Sequence, residues 1–244
     1  MANYPTDTYT NLKARFQALA GLSELETTDA DFLRQLCNKR IRMAYERFPW
    51  PNHVVLNDSI AMTGKSNLIK IYGGSKDTTD AADTVFDVWI DDPLNTKYPE
   101  KHQFVLTNAS GTPAVEIIND ADLTTTVYVS YRIALEDVIS DGGTYTSGFF
   151  GDSVNDNPNI PYQFFEYAVY GAYADFLRGD GQTQKAIQED QNAELHLRQE
   201  IDKARHQSGQ FRHNRWERRP NTQFRRHQTT TGGTPVNTTA SGVL

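Results

Sequence analysis

The segment closest to a phosphate-binding loop is Thr63-Gly64-Lys65-Ser66, where glycine amides and a lysine could cradle a nucleotide. That loop requires a glycine five residues before Gly64, where the chain has Ser59, and a helix after it, for which there is no signal. A β-turn with Lys65 and Ser66 on its rim is expected instead. The six histidines, His53, His102, His196, His206, His213 and His227, form no His-Glu-x-x-His pair and flank no nucleophile elbow. His196 with Glu200, and Asp202 with His206, are each four residues apart. That spacing can grip a metal, but on a solvated helix it more often makes ion pairs. The segment from Gly151 to Asn157 has many oxygen ligands yet lacks the sixth-place glycine and twelfth-place glutamate of a calcium hand. Cys37 is the single cysteine, which excludes an intrachain disulfide and a cysteine-rich metal site, and it falls near an apolar helix face. It reads as a small buried hydrophobe. Acceptor sequons at Asn57, Asn108 and Asn237 have no meaning without a leader peptide. No catalytic, metal-ligating or cofactor-binding residue is assigned, and no enzyme is expected.

What the fold of a monomer does not explain is the charge distribution. The net charge is −7, but from Lys203 onward eight basic residues face one acidic residue, a local charge of +7. The rest of the chain holds 16 basic and 30 acidic residues, −14. Such a split fits an arm that seeks a negative surface, attached to a negative body. Arg205, Arg212, Arg215, Arg218, Arg219, Arg225 and Arg226 interleave with two isolated aromatics, Trp216 and Phe224. Guanidinium forks and aromatic rings in a polar strip bind by bidentate salt bridges, ring insertion and cation–π contact. These nine residues are the candidate docking site, for a partner protein, a neighbouring copy or nucleic acid. A merely solvated basic tail is the bland alternative.

The elements that must carry this arm follow from hydrophobic period. Tyr9, Leu12, Phe16 and Leu19 recur at helical spacing, and Leu33, Leu36, Arg40/Ile41, Ala44 and Phe48 do so again until Pro49 and Pro51. Residues 1–52 therefore form a helix pair, the second helix opening at Thr28. From 53 to 138 the period changes to two, with strands expected over 53–62, 68–72, 84–90, 103–107, 114–118 and 125–135, separated by Gly, Asn, Asp and Pro clusters. This is an antiparallel β-module inserted into a helical body. Residues 139–160 read as a flexible loop. Residues 161–208 supply two long helices, the first opening at Pro161 with a wide apolar stripe. The second carries the narrow seam Ala186, Ala193, Leu197, Ile201 and Ala204. After Gly209 the period disappears, and 209–244 read as an extended basic arm and polar tail. The fold class is α+β: a bundle of about four helices, an inserted antiparallel β-module and an extended C-terminal arm.

No leader peptide and no apolar run of spanning length is found, so manufacture in a reducing cytoplasm without membrane insertion is expected. Several stretches carry a family resemblance: Tyr45-Glu46-Arg47-Phe48-Pro49-Trp50-Pro51 before the β-module, Ile160-Pro161-Tyr162-Gln163 opening a helix, and Tyr170-Gly171-Ala172-Tyr173-Ala174-Asp175-Phe176-Leu177-Arg178-Gly179-Asp180-Gly181-Gln182 closing it. With the amide-rich helix and trailing arm, this layout resembles the head–tail adaptor, or connector, proteins of tailed bacteriophages. It is similar to the podophage tail-tubular-protein-A type over about residues 5–227. The resemblance implies a ring, typically of twelve copies, in the neck of the virion, whose C-terminal segment docks on the portal protein. A downstream tail or nozzle protein would lie beyond, and genomic DNA would pass through without sequence-specific binding. The long β-insertion and the polar extension after His227 depart from that plan. Two other readings stay open: a nucleic-acid-binding protein gripping phosphates with the arm, and another tail component whose β-module binds a fibre.

Overall fold

A computed structural model describes residues 6–62, 67–73, 76–118, 125–139 and 158–217, of which 27 and 207–217 are described as backbone alone. The expected turn at 63–66, most of the loop at 139–160 and the tail beyond 217 lie outside the described residues. The fold is α+β. Its first part reaches Asp202, and the residues from Lys203 form a second unit.

The helical body is built from α1 (Tyr9–Ala20), α2 (Thr27–Arg47), α4 (Tyr162–Gly179) and α5 (Thr183–Glu217), with α4 packed against both α1 and α2. Thr8 caps α1, its hydroxyl accepting from the Asn11 amide at 3.4 Å and so satisfying one of the free first-turn donors. α2 starts one residue earlier than expected, capped at Glu26 without a side-chain bond. The predicted apolar faces are the buried ones: Leu12, Phe16, Leu33, Cys37, Ile41 and Ala44 meet Phe165, Ala168, Val169 and Ala172 in the core. Phe16 stands edge-on to Tyr173 and Phe176, with ring centroids 6.0 and 5.5 Å apart. A two-stranded ribbon of β1 (Thr6–Thr8) and β9 (Asn159–Pro161) ties the start of the body to the entrance of α4. Pro161 thus ends a strand and caps the helix, which begins one residue later than its sequence position suggests.

The inserted module is a sandwich of two antiparallel sheets. One has the order β2 (Val54–Ala61), β8 (Thr126–Ile133), β4 (Ala82–Trp89), β5 (Lys101–His102), and the other β3 (Leu68–Lys70), β7 (Thr112–Ile117), β6 (Phe104–Ala109). Alternate residues of both turn inward into one core of Ile60, Met62, Val85, Val88, Val127, Val129 and Tyr131 against Ile69, Ile71, Val115 and Ile117. The β6–β7 hairpin turns on Ser110 and Gly111, both at positive φ (55° and 85°), the pairing that matches strand twist in a two-residue loop. Val54 pairs with Arg132, so the module's entry and exit strands are neighbours and its ends lie together.

At that junction a short 3₁₀ turn, Pro51–His53, leads from α2 into β2, and a single turn of helix, α3 (Leu135–Val138), follows β8. Trp50, fully buried, donates its Nε1–H to the Ala44 carbonyl at 3.1 Å. Tyr45 donates its hydroxyl proton to the Ile133 carbonyl, and the Arg132 guanidinium lies over the Tyr45 ring at 4.8 Å.

Candidate functional site

α5 carries the candidate residues, and its place in the body is set by charge as much as by apolar burial. Ala186, Ala193, Leu197 and Ile201 are buried along the narrow seam the sequence marks, as is Ala204. Above that seam lies an ion network absent from the sequence reading. Arg40 of α2 is 5% exposed. Its Nε and Nη2 reach the two carboxylate oxygens of Asp175 on α4 at 2.9 and 2.7 Å, and its Nη1 reaches Asp190 on α5 at 2.9 Å. Arg178 completes the ring with Nη1 to Asp175 at 2.7 Å and Nη2 to Asp190 at 3.0 Å. Three helices are therefore joined through two guanidinium groups and two carboxylates. Gly171 makes room for this: a Cβ there would stand 2.8 Å from Arg40 Cδ. Burial alone would raise the Asp175 carboxyl, but the hydrogen bonds and charge of Arg40, with Lys39 and Arg178, outweigh it and hold the group below the usual carboxylate range. Farther along, Arg47 of α2 binds Glu194 of α5 at 2.6 and 2.7 Å.

Three other groups singled out from sequence, His53, His196 and Cys37, are held in structural roles. His53 is buried, and its Nε2 accepts from Gln163 Nε2 at 2.6 Å. Burial lowers its pKa to about 4, so the imidazole is neutral at pH 7. The His196 ring stacks on Tyr170, centroids 5.2 Å apart. Cys37 has no exposure, and burial pushes its thiol up, away from the thiolate a nucleophile needs. Among the described residues no group of three or more His, Cys, Asp and Glu is placed to hold a metal ion.

The structure corrects one boundary of the docking segment. An extended chain was expected from residue 209, but α5 continues through Glu217, so Arg212, Arg215 and Trp216 stand on helical backbone. A single glycine costs about 1 kcal/mol inside a helix, and each further residue propagates a helix already nucleated, so Gly209 is no stop signal by itself. Pro220, which disfavours helical backbone in the residue before it, is the stronger stop. Positions 205, 212, 215 and 216 fall along one side of that backbone. Arg205 is exposed. Arg218, Arg219, Phe224, Arg225 and Arg226 lie outside the described residues. The charge changes sign along this single helix: five acids against Lys185 and Arg198 from Thr183 to Asp202, then four basic residues against Glu217 from Lys203 to its end.

No protein-family model matches the chain, and no curated protein matches it. No helix is long and apolar enough to cross a membrane among the described residues.

Proposed function

We propose that this chain is a structural assembly protein, a head–tail adaptor of a tailed bacteriophage that forms an oligomeric ring joining the portal to the tail. The observation that carries the reading is the last helix, anchored in an acidic body by Arg40 and Arg47 and turning basic toward its end. A helix made this way presents guanidinium groups to an acidic partner while its first turns hold register with the rest of the subunit. The element order supports the same role: a helix pair, an inserted sandwich whose ends lie together, and two further helices. A body of charge −14 suits a DNA conduit, since a negative wall does not retain phosphate. In this reading the portal protein binds the segment from Arg205 to Arg226, a downstream tail or nozzle protein binds the opposite side, and identical copies close the ring. The working location is the virion neck, and the chain does no chemistry of its own.

Negative-stain images of the purified protein, alone and mixed with portal rings of the same phage, test this directly. Rings that stack on the portal are the expected result; dispersed monomers that leave the portal bare would overturn it. The same arginines favour one competitor, a protein that grips nucleic acid, which predicts duplex affinity falling steeply with salt.

A further inference from the structure

The two sheets of the sandwich present four edges, and three of them are blunted. β2 is interrupted by a bulge between Val55 and Asp58, and the Asp58 carboxylate accepts from the Thr79 amide at 2.6 Å and its hydroxyl at 2.8 Å. β3 has three residues; its Lys70 amide donates to Asp77 Oδ2 at 2.8 Å, and the Lys70 carbonyl accepts from the Asp77 amide at 2.7 Å. β5 has two residues, one of them Lys101. Short strands, bulges, charge and covering groups are the devices by which edges avoid pairing with foreign chains.

Among the described residues β6 has none of them. Phe104–Ala109 runs six residues without a charge or proline, in unbroken register with β7, and pairs with no second strand among the described residues. Its apolar side chains are uncovered as well. Leu106 stands opposite the fully buried Val115, hence on the core face of its sheet, yet it is 66% exposed: the core stops short of this edge. Val105, opposite Glu116 on the other face, is 45% exposed. One more strand alongside β6 would complete the ladder and cover both.

We infer that β6 accepts, as an added strand, the C-terminal segment 228–244 of a second copy. That segment has no charged residue, and its threonines and valines favour a pleated, half-buried setting. Pro235 can precede the added strand, leaving Val236–Thr239 to pair. The 27 residues after Glu217 reach up to about 90 Å when extended, enough to span neighbouring subunits. A contact from the tail of one copy to the β6 of the next is head-to-tail, the kind that closes into a ring. The choice of a second copy over the same chain rests on the ring proposed above; the open edge itself does not.

Disulfide trapping tests this, because Cys37 is fully buried and leaves the background clean. Full-length Asn108→Cys and Val236→Cys chains of distinguishable mass are mixed and oxidised. A mixed disulfide forming at least ten-fold faster than either self-linked product is expected, and Leu106→Lys in the accepting chain should slow it ten-fold or more. Three results overturn the proposal: no mixed product; an Asn108→Cys chain linking chiefly to itself, which assigns the edge to self-pairing; or an intrachain disulfide in a chain that carries both Asn108→Cys and Val236→Cys. Portal stacking of the unmodified protein, scored separately, tells failure of the tail contact from failure of the adaptor reading.

Discussion

Arg40 occupies a position on α2 where the helical pattern calls for an apolar side chain, and its neighbour Ile41 satisfies that pattern while Arg40 turns to Asp175 and Asp190. Removing one member of a buried ion pair leaves an uncompensated charge, which costs about 3–5 kcal/mol. Arg40→Ala should lower unfolding stability by that amount in urea titrations. Gly171→Ala sets two effects against each other: alanine gains about 1 kcal/mol of helix propensity, while crowding a locked side chain costs about 1–3 kcal/mol. In the native protein a net loss is expected. In the Arg40→Ala background, where the crowded atoms are gone, the same change should stabilise, and a double-mutant cycle reads that reversal of sign. His53 gives a second prediction at this scale. Its pKa falls from 6.5 to about 4 on folding, so the neutral form is what the fold holds. The sign follows from linkage: the contribution is complete above pH 6.5 and is lost as pH falls toward 4, a change on the order of 3 kcal/mol. His53→Asn, which cannot titrate, should flatten the stability–pH curve in that window relative to the native protein; parallel curves would contradict the assignment.

The main elements were legible because their periods are unambiguous. Tyr9, Leu12 and Phe16 could face only one way on a helix, and the alternation in 126–133 fixes which side of β8 enters the core. Three-residue strands such as β1 and β9 carry no period of their own, and their pairing exists only because the body brings residues 6–8 beside 159–161. The Arg40–Asp175 bond was illegible for a related reason, since 135 residues separate its partners. The end of α5 lies beyond Gly209 because cooperativity carries a nucleated helix past a single glycine, which a residue-by-residue stop signal does not register. Of the candidate docking residues, Arg205 falls on the helix expected from sequence, whereas the helical backbone at Arg212, Arg215 and Trp216 was not foreseen. The insertion makes its own prediction. Replacing residues 55–131 by a short Gly/Ser linker spans the gap between paired positions Val54 and Arg132, and should leave a helical body with cooperative unfolding. Loss of cooperative melting in circular dichroism would show that the sandwich is part of the body's core.

For the whole molecule, the segregation of charge matters more than its total. Residues 1–202 carry −14 and the residues from Lys203 carry +7, so if the proposed ring and portal contacts draw on this difference, salt should weaken them. Burial accounts for the body: its apolar faces, aromatic cluster and buried ion network are satisfied inside one chain. The basic end of α5 and the uncovered edge of β6 are the features that a partner would complete, and on the reading proposed here both partners belong to a single ring and the portal above it.

Deleting residues 209–244 and measuring how well the truncated protein joins portal-containing particles tests that claim most directly. The account predicts a body that keeps its helical signal and cooperative melting but loses joining by at least ten-fold; unimpaired joining by the folded truncation would contradict it.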